Sequence, residues 1–502
     1  MRFPAFAGNK GRWLAALAGA LLPLCFAPFH VWFIAFPLYA TLFFLWDGQT
    51  PREAAWRGFF FGFSAFATGT YWLYISVHVF GGAPVLVAVL LMLGLFWAMA
   101  MYFAVSGYLA RLIDSESSAW RWCVLWPAIF LLLDWARGWW FTGFPWLSAG
   151  YGQIDGPLMP WIPVSGVYGV TFLTVVLSGV LLTLIRGKNR DRVIAGGIFL
   201  VVLGSTWALH DRAWTTALDE DLRVSLIQGS IPQDKKWLPE QRQPTLDLYA
   251  ALTFEQSDPD LVIWPEVAVP ALKLVVQDYL DDLDAKAEER NIQIYLGVLT
   301  LGDEREQYQN SLIGLGRHDA QYHKRHLVPF GEYFPVPRFV RKWMRGAGLP
   351  NQDTLPGSYE QQPLPLGEYL LAPSICYEDS FGEEQRDFLP AAHFLINVSN
   401  DAWFGTSIAP DQHLQVARIR ALETGRFNLR ATNTGITVVI SPSGKILQRL
   451  PQFETGVLNA VVHPYVGATP YVIWGNIPVV MGCLILVGFG GYRALRRSGY
   501  PL

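Results

Sequence analysis

Stretches of about twenty apolar residues are long enough to cross the hydrocarbon core of a bilayer. They recur up to residue 210 of this chain and once more near its end, around 11–28, 31–46, 57–78, 84–110, 119–135, 163–186, 193–210 and 470–492. The sequence therefore predicts a polytopic α-helical membrane domain of eight spans. Composition agrees: 52% of the 502 residues are hydrophobic and 21 are tryptophan, too apolar and aromatic for an ordinary soluble protein. Arg2, Lys10 and Arg12 ahead of the first run have the form of a secretory signal, but no convincing cleavage site follows and further spans come at once, so the run reads as the first span. A net charge of −3 without a long basic run gives no reason to expect nucleic-acid binding.

Lys and Arg are retained on the cytoplasmic side of short connections. They sit before the first span, between the second and third (Arg52, Arg57), between the fourth and fifth (Arg111, Arg121), between the sixth and seventh (Arg186, Lys188, Arg190, Arg192) and at the C-terminus (Arg493, Arg496, Arg497). The alternate connections, such as HVFGGAP, carry almost none. Both termini are expected to be cytoplasmic, with the long segment between the seventh and eighth spans outside.

That segment differs in composition. The chain is expected to divide into a membrane domain over 1–213, an extracytoplasmic domain over 214–466, and a final span with a cytoplasmic tail over 467–502. In the middle part, LRVSLIQGSI, DLVIWPEVAVP, IQIYLGVLTL, YLLAPSICYED and HFLINVSND read as buried strands ending in polar residues, while 240–257, 272–290 and 410–428 read as helices. TVVISPSGKIL has a hairpin signal in PSG. Alternating strands and helices predict an α/β domain with its chemistry displayed at strand ends.

Three strand ends deliver Glu266 in IWPEVAVP, Lys324 in YHKRHLVPFGEY and Cys376 in SICYED. A thiol is a nucleophile only as thiolate, so it needs a base for its proton and a cation for the resulting charge. Glu, Lys and Cys supply those roles. Taken singly, each also has a structural explanation, since a lone Cys after an apolar run commonly fills a core and a Lys or Glu at a strand end is commonly solvated.

WPE, then KxxLVPFGE, then CYE, in that order, resemble the signatures of the nitrilase superfamily, whose members use a Glu–Lys–Cys triad in an α-β-β-α sandwich. Eight spans with such a domain inserted before the last resemble its membrane-bound branch, the apolipoprotein N-acyltransferases. The likeness extends over the whole chain and includes TGFPW (Thr142–Trp146), QGSIPQDKKW (Gln228–Trp237) and NDAWFG (Asn400–Gly405). It implies Glu266 as general base, Cys376 as nucleophile and Lys324 as partner of the oxyanion. It ties Glu332, Tyr377 and Glu378 to the active site, and Trp237 and Asn310 to the substrate pocket.

The implied reaction is ping-pong acyl transfer. Cys376 takes an acyl chain from a phospholipid as a thioester, and the α-amine of a diacylated apolipoprotein N-terminal cysteine then attacks it. The implied enzyme sits in a bacterial inner membrane as a monomer and calls for no cofactor and no metal, there being no Cys/His cluster at metal-ligand spacing. FPVPRFVRKWMR has the make-up of an interfacial segment, with Phe339, Trp343 and Met344 as the inserting residues. Its alternative is a solvated loop, and that of Glu332 a surface ion pair. Cys25, Cys123 and Cys483 fall in expected spans and read as packing residues.

Two other readings stay open: a membrane-tethered amidase or nitrilase with water as acceptor, and a transporter carrying a binding domain, against which the nearly charge-free spans argue. Removing one oxyanion donor commonly costs about 3–4 kcal/mol in the transition state. Lys324→Ala is therefore expected to lower acyl transfer nearly as far as loss of the thiol, measured as product formed by purified protein.

Overall fold

The computed structural model describes residues 8–113, 118–257, 259–302, 307–334, 340, 342 and 353–497. They fall into two compact units. The first is helical and comprises the chain up to Tyr71, Leu86–Ala213 and the chain from Ile473 on; the second comprises Trp72–Val85 and Trp214–Val472. The expected interfacial residues Phe339, Trp343 and Met344 lie outside the described residues.

The helical unit contains α1 (Asn9–Leu21), α2 (Ala35–Trp46), α3 (Pro51–Gly69), α4 (Val85–Leu112), α5 (Trp126–Arg137), α6 (Ile162–Arg186) and α7 (Asn189–Leu209), with a C-terminal helix, Ile477–Arg497. Among the described residues, four helices are long and apolar enough to cross a membrane: Val85–Leu112, Met159–Arg186, Asn189–Leu209 and Ile477–Arg496. The other expected spans are shorter or broken. The one expected over 57–78 is cut at Gly69, and Trp72 instead donates its indole N–H to Gln412 (3.1 Å) and packs edge-on against Phe404 of the second unit.

Inside a membrane apolar side chains gain little from leaving lipid, so helices associate through close backbone approach at small residues. α3 is packed this way on two sides. A Cβ at Gly19 of α1 would lie 2.0 Å from the Phe61 carbonyl oxygen, one at Gly58 2.2 Å from that of Phe103 in α4, and one at Gly107 of α4 2.5 Å from that of Ala54. Ser64 of α3 adds a hydrogen bond to the Ala16 carbonyl (2.6 Å).

The nearly charge-free interiors nevertheless hold a buried ion pair. At the end of α5 a buried Arg137 pairs with Asp134 (2.5 Å) and donates to the carbonyls of Phe144 and Trp146 and to Ser148 Oγ. The charge is retained because it ties down the irregular TGFPWLS backbone, whose carbonyls would otherwise be buried without donors. Cys25, Cys123 and Cys483 are buried free thiols, and Cys123 packs with Val176, Val180 and Ala195.

The second unit is a layered α/β sandwich. Its strands are β1 (Thr215–Ala217), β2 (Leu222–Gln228), β3 (Leu261–Ile263), β4 (Val269–Leu272), β5 (Gln293–Leu301), β6 (Tyr308–Gly316), β7 (Gln321–His323), β8 (Leu364–Leu366), β9 (Tyr369–Ile375), β10 (Phe394–Ser399), β11 (Phe427–Thr432), β12 (Val438–Ile440), β13 (Ile446–Arg449), β14 (Gly456–Val462) and β15 (Tyr465–Gly467). One sheet has the order β14-β2-β3-β5-β6-β7, with β4 on β5; the other runs β13-β12-β11-β10-β9-β8; β1 pairs with β15. The pairs β2–β3, β3–β5, β9–β10 and β10–β11 are parallel.

Period-two alternation distributes the side chains. Leu261 and Ile263 join Leu371, Ile375, Ile396 and Leu429 in a core between the sheets, while Val262 points the other way toward Leu246, Tyr249, Leu280 and Leu283. These last belong to the outer helices Pro239–Phe254 and Gln277–Glu289. On the far side Ala409–Thr424 lays Leu414, Ala417 and Ala421 on Val438 and Ile440. The order is helix, sheet, sheet, helix. The helix expected over 410–428 stops at Thr424 because Gly425 caps it in the left-handed region (φ 64°), and Phe427 then begins β11.

Gly58→Leu is expected to abolish the α3–α4 approach, whereas Gly197→Leu, where a Cβ meets nothing within 4 Å, should be tolerated. Size-exclusion and thermal unfolding in detergent separate the two: the first variant aggregates or melts early, and the second behaves as wild type.

Candidate active site

In each sheet the parallel strands run the same way, so the residues just beyond their C-terminal ends collect at one edge. Glu266 follows β3, Lys324 follows β7, Cys376 follows β9, and Asn400 and Asp401 follow β10. Glu266 reaches the edge on a tight turn in which Val267 takes φ 46°. That turn rests on Gly297 of β5, where a Cβ would sit 2.4 Å from the Pro265 oxygen.

The Glu266 carboxylate is nearly buried and is held from both sheets. Oε1 accepts from Asn310 Nδ2 (2.7 Å) and Lys324 Nζ (3.5 Å), and Oε2 accepts from the Asn400 backbone N–H (2.9 Å). Lys324, 1% exposed, also donates to Glu332 Oε1 (2.7 Å), whose Oε2 accepts from the Val328 N–H (2.8 Å). Burial alone would strip the proton from Lys324, but Glu332, Glu266 and Cys376 outweigh it and lift the pKa above the ordinary lysine value. The lysine is a fixed cation.

Cys376 begins the short turn Cys376–Ser380 with φ 55°, a left-handed conformation that a non-glycine residue adopts only under constraint. Its thiol is pushed well above the usual range, first by burial and then by the charge of Glu266; Lys324 and the Ser399 hydroxyl act in the opposite sense. At rest it is a protonated thiol beside a carboxylate and a lysine cation.

Glu378 is a buried buckle between the lysine and cysteine segments. Oε1 accepts from the N–H groups of Arg325 (2.6 Å) and His326 (3.1 Å) and from Tyr322 OH (2.9 Å), and Oε2 from the Ile375 N–H (2.7 Å). Burial raises its pKa in spite of those donors. Tyr377 packs edge-on against His326 and Phe381.

Of the residues expected at the site, Glu266, Lys324, Cys376, Glu332, Asn310 and Glu378 are thus brought into one connected group. Asn310 touches the carboxylate of Glu266, and Glu332 bonds the buried Lys324 rather than standing in a solvated surface pair. Trp237 is 50% exposed. Its neighbour Lys236, which the sequence reading passed over, is 2% exposed and donates to the Glu266 backbone carbonyl (3.3 Å). The KK dipeptide hides which lysine turns inward. Also missed is a buried layer behind the cysteine, in which His413 bridges the Cys376 carbonyl (Nε2, 3.2 Å) and Asp401 (Nδ1, 3.0 Å), and Arg430 reaches Asp401 (3.0 Å). Only the polar NDAWFG stretch hinted at it.

Burial lowers the Lys236 pKa to about 8, and Glu266 offsets only part of that. Between about 8 and the unfolded value of 10.5, unfolding takes up a proton, so native stability contributed at this position rises with pH across that window and is flat below it. The melting temperature of wild type relative to Lys236→Met, followed in detergent from pH 6 to pH 10, should climb only above about pH 8. A constant difference would mean that Lys236 keeps its proton.

Comparison with known proteins places this geometry in a family. Residues 18–180 match the family model described as the apolipoprotein N-acyltransferase N-terminal domain, and residues 223–471 match that of the carbon-nitrogen hydrolases. The chain is 40% identical over 491 residues to the apolipoprotein N-acyltransferase of Methylococcus capsulatus, covering 97% of each chain. It is 39% identical to that of Photobacterium profundum, over 98% of this chain and 96% of the other, and 40% identical to that of Pseudomonas aeruginosa, over 99% and 98%. A likeness of this extent runs through both units, and this chain belongs to the apolipoprotein N-acyltransferase family.

Proposed function

We propose that this protein transfers an acyl chain from a phospholipid to the α-amino group of the diacylglyceryl-cysteine at the N-terminus of apolipoproteins. The observation that carries the reading is the pairing of full-length likeness to curated N-acyltransferases with a buried Glu266–Lys324 pair that acts on the thiol of Cys376.

In the first half-reaction Glu266 takes the thiol proton as sulfur attacks the ester carbonyl. Negative charge moves to the carbonyl oxygen, where Lys324 and the N–H of Tyr377 are the proposed donors. The intermediate collapses to the thioester, and the proton held by Glu266 passes to the departing lysophospholipid oxygen. In the second, the acceptor amine attacks the thioester, Glu266 receives a proton from it, sulfur leaves as thiolate, and the proton on Glu266 returns to sulfur to restore the resting thiol. Glu332 keeps Lys324 charged and oriented through the cycle. A buried site limits the competing attack of water on the thioester.

Both substrates are lipids or lipid-bearing, which accounts for the long apolar helices. We propose eight crossings in a bacterial inner membrane, with both termini cytoplasmic, residues 214–466 on the periplasmic side, and a monomer as the working form. The run of Lys and Arg in alternate connections supports that orientation.

Incubating purified protein with phospholipid and following it by intact and peptide mass spectrometry should show a hydroxylamine-sensitive acyl mass on the Cys376 peptide, absent from Cys376→Ala. Adding a diacylated lipopeptide should discharge it to a stable amide. A folded protein that stays unmodified with several phospholipids would overturn the donor assignment and favour a small-amide hydrolase.

A further inference from the structure

Cys376 has a second polar neighbour besides the triad partners. Ser399 is the last residue of β10, and parallel pairing aligns Val398 with Ile375 in β9. The register therefore brings Ser399 alongside the point where the chain leaves β9 at Cys376, and its hydroxyl acts to lower the pKa of the thiol. Ser399 is fully buried, and its hydroxyl donates to Asp401 Oδ1 (3.0 Å). A serine hydroxyl has one hydrogen and two acceptor sites. With its hydrogen spent on Asp401, it can meet the resting cysteine only as the acceptor of the S–H.

When the thiol proton goes to Glu266 the arrangement has to change, because a thiolate can only accept. The serine hydrogen can turn from Asp401 to sulfur at little cost, since Asp401 keeps Arg430 on Oδ2 (3.0 Å) and His413 on Oδ1 (3.0 Å). Burial would raise the pKa of Asp401, yet Arg430 and His413 hold it well below the usual carboxylate range. It therefore stays an anion whether or not the serine donates to it.

We propose that Ser399 is a further catalytic residue of this enzyme: a hydroxyl that accepts from the resting thiol, swings to donate to the thiolate on attack, and donates again to sulfur when it leaves the thioester. The proton inventory balances. The thiol hydrogen moves to Glu266 and on to the leaving lysophospholipid oxygen, while the serine hydrogen only changes acceptor, from Asp401 to sulfur and back once the sulfur is acylated. A triad contains no device for both jobs, because Lys324 is committed to Glu332 and Glu266 and, during attack, to the carbonyl oxygen. The assignment rests on Cys376 being the nucleophile.

The test uses full-length protein in detergent, with Ser399→Ala, Ser399→Thr and Ser399→Val. The first readout is iodoacetamide alkylation of Cys376 against pH, measured by intact mass. The charged and titratable groups facing the sulfur, Glu266, Lys324 and Asp401, and His413 on its carbonyl, are unchanged in every variant. Ser399→Ala should move the alkylation midpoint to higher pH. It should also slow both acylation by phospholipid and discharge by lipopeptide about ten- to a hundredfold, the loss expected for a hydrogen bond to a charged group, with the KM for phospholipid unchanged. Ser399→Thr should restore both. If the alanine variant does not fold, Ser399→Val, the hydroxyl-free isostere of threonine, takes its place in the comparison. A wild-type pH profile together with wild-type rates in the alanine variant overturns the proposal, as does a loss confined to KM. If wild type alkylates but never forms an acyl-enzyme, the functional reading fails while the alkylation profile still decides what Ser399 does to the sulfur.

Discussion

An ammonium group removed from water must be surrounded by acceptors or give up its proton, and Lys324 meets that condition by drawing in groups from distant parts of the chain. Glu332 comes from the turn that follows it, and Glu266 from beyond β3. Glu266 in turn needs donors for its remaining lone pairs and finds them in Asn310 on β6 and in the backbone of Asn400 on the opposite sheet. One buried cation thereby fastens both sheets of the sandwich at the edge where Cys376 emerges. Removing any single member leaves an uncompensated charge or an orphaned acceptor, which costs more than the bond itself.

The same cluster explains why the thiol waits. Glu266 and burial keep the proton on sulfur, while Lys324 is placed to oppose them. A thiol held in this way stays protonated until a base takes its proton and a cation shares the resulting charge. The left-handed φ of Cys376 is a local strain, and the Glu378 buckle on one side and His413 on the other are what over-determine it.

The helical unit follows a different logic. Its close approaches run through Gly19, Gly58 and Gly107, and a buried Arg137–Asp134 pair serves carbonyls of an irregular loop. Backbone proximity and satisfied polar groups replace the burial of apolar area that holds the sandwich together.

Much was legible without coordinates. Short apolar runs bounded by polar residues, DLVIW and HFLIN, mark strands buried on both faces, and the long apolar runs mark helices because lipid offers backbone groups no other partner. WPE, KxxLVPFGE and CYE identify a family because a thiolate needs a base and a cation. Local composition did not reveal where helices stop: α3 ends at Gly69 and Trp72, which already belongs to the second unit, bonds Gln412 there, while the helix ending at Thr424 is cut so that Phe427 can pair with Phe394. Nor did it separate Lys235 from Lys236, or single out Ser399, Asp401 and His413 among the chain's many polar residues. Spacing along a sequence determines which elements form and which chemistry is affordable. Which side chains face one another is decided by strand register and by the demand of buried charges for partners, and both exist only once the sheets have closed.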